Sequence, residues 1–130
     1  MKYSIAIYGG PYSHQATHSA WHFTRAVLKR GHTIERVFFY HDGVYNASAL
    51  TAPPQDEQNL PLKWQQLAED NDFELTVCIA AAVRRGILDE NEAQRYSKPA
   101  ANLEQGYQLS GLGQLVDAGL TSDRLISFGP

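Results

Sequence analysis

The spacing of apolar and polar positions along the chain changes several times, and each change marks an element. Tyr3 to Tyr8 is a mostly apolar run ended by Gly9-Gly10-Pro11, which predicts a first strand and then a turn. From about Gln15 to Arg30 the period becomes helical. Ala16, Ala20, Phe23 and Val27 recur at i, i+4, i+7 and i+11, one face of a helix that Gly31 stops. Thr33 to Tyr40 is rich in strand formers, with Val37, Phe38 and Phe39 in succession, as in a central strand buried on both faces. A helix between two such strands predicts a right-handed βαβ unit. His41-Asp42-Gly43 then reads as a turn opening a long irregular segment to about Gln58, the kind of loop that carries function in a compact domain.

Pro61 suits the first turn of a helix that takes in Leu62, Trp64, Leu67 and Ala68 and ends near Asp70. Between Phe73 and Gly86 the pattern changes within one run. Phe73, Leu75, Val77 and Ile79 alternate as strand residues do, while Ala80, Ala81 and Ala82 are helix formers, so the break falls at Cys78. Asp89 to Tyr96 predicts a polar helix with an acidic first turn, and Lys98-Pro99 breaks the chain again. Ser110 is placed to cap a helix from about Leu112 to Leu120, with Gly111 and Gly113 suited to close packing, and Arg124 to Phe128 reads as a final strand. About five strands alternating with helices predict a single α/β domain over residues 1–130: an open, mostly parallel five-stranded sheet with helices on both faces.

Chemistry enters at Cys78, the only cysteine. A thiol at the carboxyl end of a parallel strand meets the unpaired amides and partial positive charge of the following helix. Such surroundings lower a cysteine pKa from ~8.5 into the range ~3.5–7.5. A lone cysteine in an apolar strand is, however, more often an inert, buried small hydrophobe, so the residues alone leave both readings open. Arg84 and Arg85 lie too far along the helix to pair with the sulfur, though they are placed to attract a partner.

The face of the first helix opposite its apolar stripe carries His14, His18, Trp21 and Arg25, and an exposed tryptophan among histidines reads as a candidate protein interface. His14 and His18 at i, i+4 lack the H-E-x-x-H context and a third ligand, which disfavours a metal site. Gly9-Gly10-Pro11 matches neither G-x-x-x-x-G-K-[ST] nor G-x-G-x-x-G, which disfavours a nucleotide loop. His41 beside Asp42 is better read as part of a solvated turn than as a general base, since adjacent residues do not orient each other. Both the Gly10-Pro11-Tyr12 turn and His41 follow strands of the same direction as the Cys78 strand, so they are expected at the same sheet edge, as candidate lining of the site.

Composition narrows the class further. Eleven Lys and Arg against 14 Asp and Glu give a formal charge of −3, with no basic stripe, which argues against direct nucleic-acid binding. One cysteine excludes an internal disulfide framework and fits a reducing cytosol. The apolar run to Tyr8 is too short for a signal peptide core or a membrane span, so a soluble cytoplasmic protein with no membrane segment is expected.

The stretches Gly10-Pro11-Tyr12, Val37-Phe-Phe-Tyr-His-Asp-Gly-Val44 with Tyr45-Asn46, Pro54-Gln-Asp56, Val77-Cys-Ile-Ala-Ala-Ala82 with Arg84-Arg85-Gly86, Asp89-Glu90 and Ser110-Gly-Leu-Gly-Gln114, in this order and spacing, closely resemble the DsrE/TusD family of small sulfurtransferases. The resemblance implies a DsrE-like fold in which Cys78 carries sulfur as a persulfide, with no cofactor and no metal. It also implies partners: two smaller related subunits, TusC-like and TusB-like, in a dimer of heterotrimers. A TusA-like protein would donate the sulfur and a TusE-like protein would accept it, towards 2-thiouridine in tRNA, so that RNA is reached only at second hand. The alternatives are a DsrE-like subunit of a sulfur-oxidation relay that delivers to a DsrC-like acceptor, or an assembly subunit in which Cys78 is inert.

Overall fold

The computed structural model describes residues Met1–Pro130. In chain order its elements are β1 (Lys2–Ile7), α1 (Ala16–Lys29), β2 (Thr33–Phe39), a 3-10 helix (His41–Ala47), α2 (Leu60–Asn71), β3 (Glu74–Cys78), α3 (Ile79–Arg84), α4 (Glu90–Arg95), β4 (Tyr107–Ser110), α5 (Gly113–Thr121) and β5 (Arg124–Phe128). The five strands form one sheet in the order β4-β3-β2-β1-β5, and every neighbouring pair is parallel. The α/β architecture expected from the sequence is therefore observed. The steps from β1 through β4 all move in one direction, so right-handed crossovers place α1 to α4 on one face, while the return to β5 carries α5 over the other.

β2 is central, and its Val37, Phe38 and Phe39 are fully buried. On the first face Phe39 meets Trp64 of α2 edge-on at 5.8 Å and Tyr107 of β4 at 5.7 Å. On the second face Arg36 ties the sheet to α5. Its guanidinium donates to Glu74 Oε2 at 2.8 and 3.1 Å, to Asp117 Oδ2 at 3.3 Å and to the Gln114 carbonyl at 3.1 Å. Burial alone would lower the Arg36 pKa, but the hydrogen bonds and charges of Glu74 and Asp117 outweigh it and raise it.

Local chemistry explains the helix ends. Asn59 caps α2 by accepting from Leu62 N at 3.2 Å, and Asp72 closes that helix in the left-handed region at φ 54°. Asp89 caps α4 by accepting from Glu92 N at 2.8 Å.

Three expectations are corrected. Ser110 is the last residue of β4, a strand of four residues at the sheet edge that pattern alone did not locate; α5 begins at Gly113, with Leu112 as its N-cap residue and no side-chain cap. Nothing stands within 4 Å of a Cβ built on Gly111 or Gly113, so these glycines do not serve close packing within the chain. The segment after β2 does not start irregularly, because His41–Ala47 winds into a 3-10 helix. At β3 the difference is one of boundaries: the strand runs from Glu74 to Cys78, and Ile79 already belongs to α3.

Burial, and secondarily the charge of Glu104, push the Tyr107 hydroxyl well above the ordinary tyrosine range. In the unfolded chain this group ionises near pH ~10, whereas the folded state holds its proton to higher pH. Its contribution to stability is thus constant below that pH and declines as pH rises through it. Tyr107 also donates to the Pro61 carbonyl at 2.7 Å. Tyr107→Phe is expected to cost about 1 kcal/mol at neutral pH through loss of that bond, and to flatten the alkaline fall in stability. Urea unfolding at neutral pH and above pH ~10 measures both, and an unchanged alkaline slope would contradict the assignment.

Candidate functional site

Cys78 is the final residue of β3 and the N-cap residue of α3, at φ −61° and ψ 117°. It pairs with Ser110 of β4 across the parallel ladder. Strand alternation places Thr76 and Cys78 on the side of the sheet that carries Arg36 and Phe38, two residues beyond a small polar depression lined by Thr76, Gln108 and Ser110. The sulfur makes no hydrogen bond, and the residue is only 2 % exposed, within the same apolar cluster as Val44, Ala47, Val77, Ala81 and Ala82. The sequence break at Cys78 thus marks a real strand-to-helix transition, but the thiol at that point is covered.

The 3-10 helix packs against both β3 and α3, and it is held there by backbone. Ile7 O accepts from Tyr40 N at 2.9 Å, and Gly43 N donates to Tyr40 O at 2.9 Å. Gly43 lies so close to β1 that an added Cβ would stand 2.1 Å from Ile7 O. Only glycine fits this approach. A buried chain of polar groups completes the anchor. Thr17 Oγ1 donates to Gly9 O at 3.0 Å, and the Asn46 amide donates to Thr17 Oγ1 at 3.2 Å and to Gly43 O at 2.9 Å. From the far side Arg85 Nε donates to Asp42 Oδ1 at 2.9 Å, a solvent-facing pair worth no more than ~1 kcal/mol that nevertheless joins the 3-10 helix to the end of α3.

The candidate lining residues divide. Gly10 lies beside Asp42, its built Cβ 3.7 Å from the Asp42 carbonyl, so the β1–α1 turn and His41-Asp42 do meet at one edge. His41, at φ 49°, stacks on Tyr40 at 4.2 Å and lies 6.0 Å from Tyr8, which is itself 5.9 Å from Tyr40. Sequence reasoning passed over this aromatic group; the available signal was that Tyr8 and Tyr40 each directly follow a parallel strand. Pro11 is buried, and the Tyr12 hydroxyl donates to Gln58 O at 2.6 Å and accepts from Leu60 N at 3.1 Å, pinning the start of α2.

The helix face proposed as an interface is also partly used within the chain. Trp21 is half-buried rather than exposed: its Nε1 donates to the Lys63 carbonyl at 3.2 Å and the Lys63 ammonium sits 3.8 Å from its ring centre. Burial, and secondarily Arg25, lower the Lys63 pKa. His14 and His18 line a depression with Tyr12, His22, Glu57 and Gln58, while Arg25 remains exposed.

Set beside known proteins, residues 1–128 match the model of the DsrE/DsrF-like family, and the chain belongs to that family. It is 52 % identical over 129 residues to the "Putative sulfurtransferase DsrE" of Allochromatium vinosum, an alignment covering 99 % of each chain. It is 48 % identical over 128 residues to the sulfurtransferase TusD of Cronobacter sakazakii, covering 98 % of this chain and all of that one, and equally to the TusD of Salmonella newport. The crystal structure of the ychN protein from E. coli superposes with a TM-score of 0.78 over 98 % of this chain and 99 % of that one, and at 17 % identity shows a shared fold.

Gly43→Ala is expected to cost about 2–3 kcal/mol, because the 3-10 helix must lift from Ile7. Gly113→Ala, in open space, is expected to stay within ~0.5 kcal/mol of the parent. The lifted helix should also expose Cys78, so alkylation under native conditions becomes several-fold faster in Gly43→Ala alone. Equal alkylation rates in the two variants would show that the 3-10 helix does not cover the thiol.

Proposed function

We propose that Cys78 is the sulfur carrier of a persulfide relay, and that residues 1–130 act as one DsrE-like unit of it. The observation that supports this reading is the position of the only cysteine, at the carboxyl end of a parallel strand and the head of a helix. The chain is a sulfurtransferase by its membership of the family and its near half identity, over its whole length, to proteins so named.

The chemistry balances without an external oxidant. The Cys78 thiolate attacks the outer sulfur of a donor persulfide, a new S–S bond forms as the donor's S–S bond breaks, and the donor leaves as a thiolate. Cys78 then carries the –SH of the transferred sulfur. An acceptor thiolate attacks that outer sulfur in the same way and returns Cys78 to a thiolate. Each step conserves the oxidation level of the sulfane sulfur and calls for a leaving thiolate rather than a metal or a general base. Since Cys78 is 2 % exposed, each exchange includes a local opening of the segments around it.

In this reading the donor is a TusA-like protein, the acceptor a TusE-like protein on the way to 2-thiouridine in tRNA, and the chain works in the cytoplasm within a dimer of heterotrimers with TusC-like and TusB-like subunits. No helix is long and apolar enough to cross a membrane. A second reading, delivery to a DsrC-like acceptor in sulfur oxidation, draws support from the 52 % identity to the DsrE-named protein, slightly above the 48 % to those named TusD.

Isotope-labelled sulfur on the donor tests both. A small amount of this protein is expected to move the label to the TusE-like acceptor faster than to the DsrC-like one, and Cys78→Ser is expected to move none while keeping the parent's circular dichroism. Preference for the DsrC-like acceptor would select the second reading. Transfer by Cys78→Ser at the parent's rate would rule out the carrier role.

A further inference from the structure

In a persulfide relay the carrier sulfur bears negative charge twice, when it attacks the donor's outer sulfur and when it departs as the acceptor takes that sulfur away. A thiolate held out of water needs a hydrogen-bond donor. The head of α3 does not supply one here. Cys78 is the N-cap residue, and its side chain accepts no bond from the amides of the first turn. The sheet offers another source.

The parallel ladder sets Ser110 of β4 directly beside Cys78. Residues so paired lie ~4.8 Å apart and carry their side chains to the same face. Both hold the polar atom on Cβ, so Oγ and Sγ stand at one height above the sheet, and rotation about χ1 of Ser110 turns the hydroxyl towards the sulfur. The other hydroxyls on this face are less well placed. Thr76 is two residues back along β3, about 6.6 Å away. Tyr40 follows β2 on the other flank, but its hydroxyl is at the tip of a ring stacked on His41 at 4.2 Å and set edge-on to Phe38 at 6.5 Å, beyond the level of a sulfur on Cβ. Ser110 is also free to serve. Unlike the hydroxyls of Ser4 and Ser48, its own has no partner within the chain. The residue is half-buried on the edge strand, where it borders a polar depression of about 230 Å³ with Thr76, Gln108 and Gln114. Because the ladder itself joins the two residues, opening of the 3-10 helix or α3 leaves Ser110 beside the thiol.

We propose that Ser110 stabilises the thiolate of the relay, its hydroxyl donating a hydrogen bond to Cys78 Sγ whenever that sulfur carries negative charge. The proposal rests on the carrier reading above and adds to it the group that makes Cys78 a competent nucleophile and leaving group. In unloading, the acceptor thiolate bonds to the outer sulfur, the bond between that sulfur and Sγ breaks, and its electron pair passes to Sγ, where the Ser110 hydroxyl meets it. The proton of the outer sulfur departs with that sulfur, and Ser110 keeps its own. Loading is the same exchange in reverse, with the donor as the leaving thiolate.

The test loads Cys78 from inorganic polysulfide and follows its unloading to excess free cysteine, so that no protein docking enters. The variants are Ser110→Ala, Ser110→Thr and, as a control, Ser127→Ala, an exposed serine of the opposite edge strand. Ser110→Ala is expected to unload roughly tenfold more slowly, the effect of one lost hydrogen bond to a charged atom, while its circular dichroism and urea midpoint match the parent's. Ser110→Thr, which keeps the hydroxyl on a side chain suited to a strand, is expected to unload at close to the parent's rate, as is Ser127→Ala. Unloading of Ser110→Ala at the parent's rate would overturn the proposal and leave the carrier standing. Equal slowing in Ser110→Ala and Ser110→Thr would also overturn it, by assigning the effect to packing rather than to the hydroxyl. A parent protein that takes up no sulfur from either polysulfide or the persulfide-bearing donor would overturn the carrier reading itself.

Discussion

There is no room for a side chain where the backbone of Gly43 lies against Ile7. A Cβ there would stand 2.1 Å from the Ile7 carbonyl oxygen, which already accepts from Tyr40 N. This approach brings the 3-10 helix down onto the ends of the central strands, and much of the candidate site follows from it. Val44 and Ala47 join the apolar cluster that contains Cys78, Asn46 reaches Thr17 and Gly43, and Asp42 meets Arg85 from α3. The parallel sheet supplies the other half of the arrangement. Because β1, β2 and β3 all point the same way, the turn at Gly10, the aromatic group of Tyr8, Tyr40 and His41, and Cys78 come to one edge without any contact being specified between distant residues.

Much of this was legible in the chain as written. Apolar runs bounded by Gly and Pro located β1, β2 and β5, and the 3.6-residue period located α1, because burial on a sheet requires those periods. The change from alternation to alanines at Cys78 marked the strand-to-helix junction, since β-branched and alanine-rich segments favour different backbones. What escaped was what tertiary contact decides. Tyr107-Gln-Leu-Ser110 is too short and too exposed on one side to show a period, so β4 was hidden and Ser110 looked like a cap. Asp42-Gly43 has the composition of a turn, and nothing local reveals that the glycine is there for a close approach to β1. Trp21 looked exposed because its position opposes the apolar stripe of α1, but Lys63 of α2 covers the ring.

Burial of the thiol is compatible with the proposed transfer. A persulfide is reactive towards many thiols, and a sulfur kept 2 % exposed is shielded from indiscriminate exchange until a partner arrives. The local elements suit opening. α3 has six residues, and its far end is strapped by a solvent-facing Arg85–Asp42 pair of small energetic weight.

The proposed relay depends on Cys78 itself taking up sulfane sulfur. Intact mass of the protein after incubation with the persulfide-bearing donor, followed by peptide mapping, tests it most directly. The expected result is a gain of about 32 Da, lost on reduction and located on the peptide that contains Cys78. A protein that gains no mass even with the proposed companion subunits present, or that gains it on another residue, would rule out the carrier and return Cys78 to the role of a small buried hydrophobe.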